Sequence, residues 1–234
     1  MTHPSTFTLD GNDVPFADGE TVLEAATRAG HAVPHLCWQP GYAPHGSCRV
    51  CLVRVGGRTS AACCTVAAPG LEVTLHDEVL DAERSAIVRM LFVEGNHFCP
   101  SCEKSGRCGL QSTAYALGIE GPQFEEFYPD RPLDASHPDL MLEFNRCILC
   151  ELCVRASSDV DGKQVFALGG HGIGSHLVVN SATGRLADSD IHPDDAAVRV
   201  CPVGVILRKR RGFDVPIGLR PVDCAEGADP ERAP

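Results

Sequence analysis

The chain of 234 residues lacks the features of a secreted or membrane-spanning protein. Its opening, MTHPSTFTLDGNDV, has no basic start followed by an apolar run, so we expect no secretory signal. No stretch approaches the roughly 18 consecutive apolar residues that a membrane span needs. Aromatic residues make up only 6% of the sequence, which predicts a modest apolar core. We therefore expect a cytoplasmic protein without a membrane span.

Motifs for nucleotide binding and covalent catalysis are also missing. No P-loop occurs, and the run GGHGIG at 169–174 has neither the spacing of a dinucleotide-binding G-x-G-x-x-G nor a helix behind it. No combination of nucleophile and base stands out, so the sequence predicts no catalytic residue. We accordingly expect that the chain itself binds neither NAD nor FMN.

Positive charge is scarce. Twenty Lys and Arg residues against 31 Asp and Glu give a formal charge of −11. Such a surface repels phosphate backbones, so nucleic acid is not an expected partner. The short basic run at 208–211 is interpreted as a solvated helix end or a local contact patch.

Cysteine, in contrast, is abundant, with 13 residues. An odd count without a secretory leader favours metal binding over disulfides. Nearly all of these cysteines fall into three groups whose spacings are typical of iron–sulfur ligands. Metal binding would then supply a large part of the folding free energy that the modest core does not.

The third group has the most specific spacing, C-x2-C-x2-C with a remote Cys-Pro. It predicts a cubane [4Fe–4S] cluster held by Cys147, Cys150, Cys153 and Cys201. In two-cluster ferredoxins a further cysteine follows the triplet four residues later, where this chain has Ser157, so the run serves one cluster. A structural zinc site is the alternative, although zinc sites more often pair two C-x2-C motifs.

The second group predicts a further [4Fe–4S] cluster with a mixed ligand set, His97, Cys99, Cys102 and Cys108. Three cysteines leave one ligand missing, and the neutral imidazole supplies it. In isolation this set would fit zinc nearly as well, but a neighbouring cubane motif favours iron. Histidine in place of a thiolate removes a negative charge, which should raise the reduction potential.

The first group resembles a [2Fe–2S] ferredoxin loop with a stretched first interval, and its predicted ligands are Cys37, Cys48, Cys51 and Cys63. The segment 46–51 lets backbone N–H groups turn toward sulfur. The fourth ligand is ambiguous because Cys64 is adjacent. On a strand the two side chains point to opposite faces, so only one can bind iron. We favour Cys63 and interpret Cys64 as a small apolar filler.

Some sulfur and imidazole groups remain outside these sets. Cys224 is interpreted as an unligated thiol in the tail. His31, His35 and His45 are interpreted as ordinary surface or loop residues.

Periodicity predicts an α+β chain that begins with a β-grasp ferredoxin-like domain. Strands are expected at 6–9, 14–16, 51–55, 60–66 and 71–75, around a helix at 21–29 that stops at Gly30. A longer helix is expected at 77–94 with Asp77 as N-cap, and a short one at 110–117. The last part should contain apolar segments at 165–168 and 177–179 and a short helix from Asp194 to Cys201.

These observations divide the chain into five segments. They are a [2Fe–2S] ferredoxin-type domain at 1–76, a small helical [4Fe–4S] domain with one histidine and three cysteines as ligands at 77–120, a connector at 121–143, a ferredoxin-like [4Fe–4S] domain at 144–222 and a loose tail at 223–234.

The stretch EGNHFCPSCEKSGRCGLQ at 94–111 closely resembles the diaphorase gamma subunits of soluble NAD-reducing [NiFe]-hydrogenases. The three-site order, over residues 6–222, is also similar to the N-terminal region of the large iron–sulfur subunit of complex I and of some iron-only hydrogenases. Complex I proteins usually place a ligand histidine four residues before the first cysteine, where this chain has Gly95. His97 stands two residues before it, as in the hydrogenase branch.

The resemblance implies a role in electron transfer. A flavin- and NAD-binding diaphorase alpha subunit would exchange hydride with NAD, the [NiFe]-hydrogenase small and large subunits would activate H2, and this chain would relay single electrons between them. The alternative is an equivalent relay in an NAD-dependent formate dehydrogenase or a complex I-like NADH dehydrogenase. A zinc-stabilised scaffold is the alternative from a different class.

Overall fold

The computed structural model describes residues 5–213, 215–217 and 219–220. The chain divides into two compact units, Met1–Val88 and Arg89–Pro234. Within the described ranges, no helix is long and apolar enough to cross a membrane. Cys224 and the expected tail at 223–234 lie outside the described residues.

The first unit contains a mixed sheet of five short strands. They are β1 (Thr6–Leu9), β2 (Asn12–Pro15), β3 (Leu52–Val55), β4 (Arg58–Ala61) and β5 (Glu72–Thr74). Their order is β2-β1-β5-β3-β4, with β1 parallel to β5 and all other neighbours antiparallel. Both hairpins turn through two residues with positive φ, Asp10-Gly11 and Gly56-Gly57. That geometry matches the twist of the flanking strands, which is why such turns favour glycine and aspartate.

Helix α1 (Val22–Arg28) packs its apolar face onto this sheet. It begins at a capping box in which the Thr21 side chain accepts from the Glu24 amide and the Glu24 carboxylate accepts from the Thr21 amide. Gly30 follows its end with φ of 86°, as expected of a helix stop. The buried core of the unit includes Phe7, Leu9, Val14, Val22, Leu23, Val53 and Val73.

Helix α2 (Glu78–Val93) starts within the first unit. Asp77 caps it, because Asp77 Oδ1 accepts from the Leu80 amide at 2.8 Å. One turn later Arg84 is fully buried, and its guanidinium donates to the carbonyl oxygens of Leu52 and Leu75. Leu52 is the first residue of β3 and Leu75 directly follows β5, so a single buried cation ties the helix to the sheet.

The second unit is built from short elements. Its helices are α3 (Gly109–Ala116), α4 (Leu152–Arg155) and α5 (Ala196–Arg199), and its strands are β6 (Leu133–Asp134), β7 (Leu140–Glu143), β8 (Phe166–Gly169), β9 (His176–Val179) and β10 (Ile206–Arg208). Strands β10, β7 and β6 form an antiparallel sheet in that order, and β8 and β9 form a hairpin. Helix α4 passes directly into a π-helical turn at Ala156–Val160.

Two predicted features differ from the structure. The strand expected at 60–66 ends at Ala61, and the chain continues as a 3₁₀ turn at Ala62–Cys64. The connector expected at 121–143 contains β6 and β7, which find their partner β10 far downstream. Strand β6 has only two residues, which are too few to show a period of two in the sequence.

The basic run at 208–211 is engaged in local contacts within the second unit. Arg208 ends β10 and donates to Asp194 Oδ1 at 2.9 Å, and Arg210 pairs with Asp139. Each of these charges is therefore balanced by a nearby carboxylate.

Candidate metal centres

The first candidate site brings together four buried cysteines of the first unit, Cys37, Cys48, Cys51 and Cys63. The Cys37 side chain hydrogen-bonds with those of Cys48 and Cys63, and Cys51 hydrogen-bonds with Cys63. The backbone N–H of Cys48 also donates to Cys37 Sγ at 3.5 Å. The three cysteines of the loop thus meet Cys63, which lies in the turn that follows β4.

The loop at 46–51 turns through left-handed backbone at two positions. Gly46 has φ of 70° and Arg49 has φ of 57°. A non-glycine residue in this region is strained, and such strain concentrates at ligand-binding loops. The turn directs the Val50 amide toward the sulfur of Cys48, where it favours the thiolate. Backbone amides therefore face sulfur here, as the sequence predicted.

Cys63 and Cys64 differ in burial. Cys63 is fully buried, whereas Cys64 is exposed, with its Sγ 3.6 Å from that of Cys63. The premise that the pair lies on a strand is wrong, because both residues belong to the 3₁₀ turn. Successive side chains of a 3₁₀ helix also diverge, since three residues complete one turn. Gly46 is closely apposed to Cys64, because a Cβ at position 46 would lie 2.8 Å from its Sγ.

The thiols of this set perturb one another's protonation. Hydrogen bonding from the Cys48 thiol lowers the pKa of Cys37, and the same contact raises the pKa of Cys48. Hydrogen bonding with Cys63 lowers the pKa of Cys51 to about 7, while contact with Cys37 raises the pKa of Cys63. Cysteine binds metal as the thiolate, so a metal would replace the protons of these hydrogen-bonded thiols.

The second candidate site is a cavity in the second unit. His97, Cys99, Cys102 and Cys108 all line it. A short 3₁₀ turn at Cys99–Ser101 carries the first cysteine, and Cys108 is the N-cap of α3. The backbone amides in the first turn of α3 favour the Cys108 thiolate, as helix N-termini do for anions.

His97 presents an unpartnered nitrogen to this cavity. Its Nε2 is buried and has no hydrogen-bond partner, while the other ring nitrogen is left to donate to the Leu91 backbone carbonyl. Burial, and secondarily the positive charge of Arg146, lowers the pKa of His97 to about 4. The imidazole is therefore neutral at pH 7, with a lone pair on Nε2. Metal-binding histidines have this arrangement, in which the second nitrogen donates to the protein.

Two glycines allow the close approach of chain segments around the second cavity. A Cβ at Gly95 would lie 2.4 Å from His97 Nε2 and 2.9 Å from the Asn145 carbonyl oxygen. A Cβ at Gly204 would lie 2.7 Å from Cys102 Sγ and 3.3 Å from Arg146 Nη1. Neither glycine has a positive φ, so space, and not backbone freedom, requires glycine at both positions.

The third candidate site is a cavity that also lies in the second unit. Cys147, Cys150, Cys153 and Cys201 all line it. Leu149 and Glu151, between the cysteines of the triplet, adopt left-handed φ of 53° and 58°. These turns curl the triplet around the cavity, and the Leu149 amide favours the Cys147 thiolate. Leu168 and Leu177 of the β8–β9 hairpin cover the cavity with apolar surface.

Burial dominates the chemistry of the thiols in both cavities. It raises the pKa of Cys147 to about 11 and that of Cys108 to about 12, and it raises the pKa of Cys153 strongly. A buried thiolate is stable only beside compensating positive charge, which bound iron supplies. In the described part of the chain, no three His, Cys, Asp or Glu side chains converge on the position of a single metal ion. In the second unit, the predicted donors surround cavities instead.

The remaining predicted residues lie elsewhere. His35 hydrogen-bonds the Val33 carbonyl oxygen at 2.7 Å and packs edge-on against Trp38. His31 is half-buried and His45 is exposed. Gly204 and Arg146 line the second cavity and Gly95 packs against His97, and the sequence did not predict these roles. The only signal for the glycines was their position close to a predicted ligand.

Comparison with known protein families gives three matches in chain order. Residues 2–78 match the 2Fe-2S iron-sulfur cluster binding domain. Residues 84–123 match the NADH-ubiquinone oxidoreductase-G iron-sulfur binding region. Residues 138–207 match the ferredoxin-like domain of NADH-quinone oxidoreductase subunit 3. A [2Fe–2S] domain followed by iron–sulfur regions of the complex I type is the order that the sequence predicted.

The gamma subunit of the NAD-reducing hydrogenase HoxS from Cupriavidus necator is 39% identical over 216 residues, which is 91% of both chains. This chain belongs to the family of NAD-reducing hydrogenase gamma subunits. It is an iron–sulfur electron-transfer subunit, and the predicted family and role are confirmed. A crystal structure of an NAD+-reducing [NiFe]-hydrogenase in the H2-reduced state contains a chain that superimposes with a TM-score of 0.90 at 53% identity, covering 94% of this chain and 93% of the other.

More distant relatives are parts of longer proteins. A G-type NADH-quinone oxidoreductase subunit of Rhizobium meliloti is 35% identical over 94% of this chain, which spans 25% of that protein. The alpha subunit of the NADPH-Fe(3+) oxidoreductase of Geobacter sulfurreducens is 31% identical over 87% of this chain, which spans 24% of the relative. The chain thus corresponds to about a quarter of each of these two relatives.

Proposed function

We propose that this chain relays single electrons through one [2Fe–2S] and two [4Fe–4S] clusters between a diaphorase and a [NiFe]-hydrogenase module. The proposed ligand sets are those predicted from the sequence. The orphaned Nε2 of His97 carries the proposal, because a buried, neutral imidazole nitrogen without a partner is costly unless it binds something. Its neighbours around the cavity are three cysteines, and sulfur with imidazole is a donor set suited to iron.

The fold supports the same division of sites. The mixed sheet with α1 packed on it is consistent with a β-grasp ferredoxin-like domain at 1–76, which holds the [2Fe–2S] ligands. We propose that 77–120 is the domain with the histidine-containing ligand set, 121–143 the connector and 144–222 the last [4Fe–4S] domain. The remote Cys201 shares its cavity with the triplet at 147–153, as a four-cysteine cubane site requires.

A zinc scaffold fits the site geometry less well. Zinc is bound by four donors about 2.0–2.3 Å from one point. In the described part of the chain no three such donors converge on the position of a single ion, and the cysteine groups of the second unit instead line two cavities. Donors spread around a cavity favour a cluster of several atoms over one ion.

When bound, iron–sulfur clusters supply one-electron carriers with potentials set by charge, hydrogen bonds and solvent exposure. The chain contributes each of these influences. It buries most of the ligand cysteines, turns backbone amides of Val50 and Leu149 toward sulfur, and places a neutral imidazole in the second set. Leu168 and Leu177 add apolar surface to the lining of the third cavity. The protein therefore positions the clusters and sets their reduction potentials, whereas bond-making chemistry takes place in its partners.

The proposed partners are a flavin- and NAD-binding diaphorase alpha subunit and the small and large subunits of a [NiFe]-hydrogenase, in the cytoplasm. The gamma subunit of HoxS and the hydrogenase crystal structure support this assignment. The NADH-quinone oxidoreductase relatives make a relay in a complex I-like enzyme the second candidate.

Isolation of the native complex without air tests the proposal. We expect nickel, flavin, iron and acid-labile sulfide to copurify with this chain, and NADH or H2 to generate EPR signals of two-iron and four-iron clusters. Copurification of molybdenum or tungsten without nickel would instead assign the relay to a formate dehydrogenase. Copurification with neither metal, but with quinone reductase activity, would support the complex I-like candidate.

A further inference from the structure

Arg146 connects the second and third candidate sites of the second unit. It directly precedes Cys147, the first cysteine of the third set, yet its side chain lines the cavity of the second set beside His97 and Cys102. A Cβ atom added at Gly204 would lie 2.7 Å from Cys102 Sγ and 3.3 Å from Arg146 Nη1. The guanidinium is therefore close to a proposed ligand sulfur.

The guanidinium is held in this place by two acceptors. Arg146 Nη1 donates to Glu103 Oε2 at 3.1 Å and to the Gly204 carbonyl oxygen at 3.3 Å. Its side chain is 15% exposed, whereas that of Glu103 is 39% exposed. Arginine is charged at every accessible pH. Water therefore screens the carboxylate more than the cation, and a net positive field remains inside the cavity.

We infer that Arg146 raises the reduction potential of the cluster held by His97, Cys99, Cys102 and Cys108, and that Glu103 partly opposes it. Reduction adds a negative charge to a cluster, so a fixed cation nearby stabilises the reduced form. Arg220 supplies further positive charge near this cavity, where its Nη1 donates to Ser105 Oγ at 2.7 Å. The inference rests on the proposed function, because it requires a cluster at this ligand set.

Opposed variants of the ion pair test the inference in the intact complex. EPR-monitored redox titration measures the potential of each cluster in wild type, Arg146→Gln, Arg146→Lys and Glu103→Gln. We expect Arg146→Gln to lower the potential of the His97-containing cluster and Glu103→Gln to raise it. Arg146→Lys retains the charge and should shift the potential less than Arg146→Gln. The [2Fe–2S] cluster is the internal reference and should not shift.

The outcomes distinguish this inference from the proposed function. If no four-iron signal of the wild type changes when His97 is replaced, the ligand set itself is refuted. With that signal present, an unchanged potential in Arg146→Gln, or a shift of the same sign in both Gln variants, would overturn the role of Arg146. If Arg146→Gln fails to retain the cluster, Glu103→Gln decides alone, because a raised potential supports the inference and an unchanged or lowered one refutes it.

Discussion

The backbone N–H of Gly109 donates to the carbonyl oxygen of Pro202 at 2.7 Å. Gly109 directly follows Cys108 of the second candidate site, and Pro202 directly follows Cys201 of the third. One hydrogen bond therefore joins two ligand loops that are far apart in the sequence. It fixes the distance between the two proposed clusters and provides a short bonded route from one to the other.

Replacement of Gly109 by Pro should slow electron transfer between these clusters. Gly109 is the first residue of α3, a position that accepts proline, so the helix itself should tolerate the change. The variant loses the N–H, and its ring crowds the Pro202 carbonyl. Together these changes should lower the stability of the folded site by about 1–3 kcal/mol. Freeze-quench EPR after rapid reduction would measure the delay. Gly109→Ala keeps the N–H and is the matched control, and equal rates in both variants would contradict the bridging role.

Cys63 and Cys64 should differ in their effect on the two-iron signal. Cys63→Ser should disrupt that signal, because the buried sulfur of Cys63 hydrogen-bonds with Cys37 and Cys51. Cys64→Ser should leave it intact, since Cys64 is exposed. EPR of the reduced complex is the measurement, and the opposite pattern would make Cys64 the ligand.

The close approach at Gly204 should make the second site sensitive to a single methyl group. Gly204→Ala places a carbon against Cys102 Sγ, at a cost of about 1–3 kcal/mol. We expect loss or broadening of the His97-dependent signal while the [2Fe–2S] signal persists. Gly121→Ala is the matched control, because a Cβ there meets no atom within 4 Å. Indistinguishable spectra for the two variants would show that the second site has room for a methyl group at position 204.

His97→Cys should lower the potential of the second cluster. A thiolate in place of a neutral imidazole adds negative charge, and the contrast between Rieske and plant-type centres indicates a shift on the order of 100 mV or more. Redox titration of the variant complex measures it, with the third cluster as reference. An unchanged potential would mean that His97 is not a ligand.

Asp77 should contribute to the stability of the first unit as a helix cap. Asp77→Ala removes the acceptor for the Leu80 amide and should cost about 1 kcal/mol. Asp77→Asn retains a capping side chain and loses only the charge that pairs with Arg54, so its loss should be smaller. The stability of both variants is measured by the urea concentration at which half of the visible circular dichroism of the two-iron cluster is lost. Equal losses would assign the effect to the ion pair and not to the cap.

Local features of the sequence predicted local structure well. The capping box at Thr21, the cap at Asp77 and the stop at Gly30 each depend on a few adjacent residues, and the helices lie where these signals put them. Cysteine spacing likewise limits which chemistry a loop can perform. The proposed ligands of each set were identified in this way, and the structure brings each set together.

Features that depend on distant segments could not be predicted. Gly204 matters because Cys102 approaches it, and Gly95 matters because the His97 ring folds back over it. Strands β6 and β7 exist because β10 pairs with β7 from far downstream. The turn at Ala62–Cys64 interrupts a strand that sequence alone would continue, and within it Cys63 is buried whereas Cys64 is exposed. Neither spacing nor periodicity encodes such tertiary contacts.

The presence of iron tests the central claim most directly. The intact complex, purified without air, should contain iron and acid-labile sulfide. On reduction its signals should include one two-iron and two four-iron clusters of this chain, and one of these four-iron signals should disappear or shift in His97→Cys. A complex in which this chain holds zinc and no iron, and which still transfers electrons between H2 and NAD, would contradict the account.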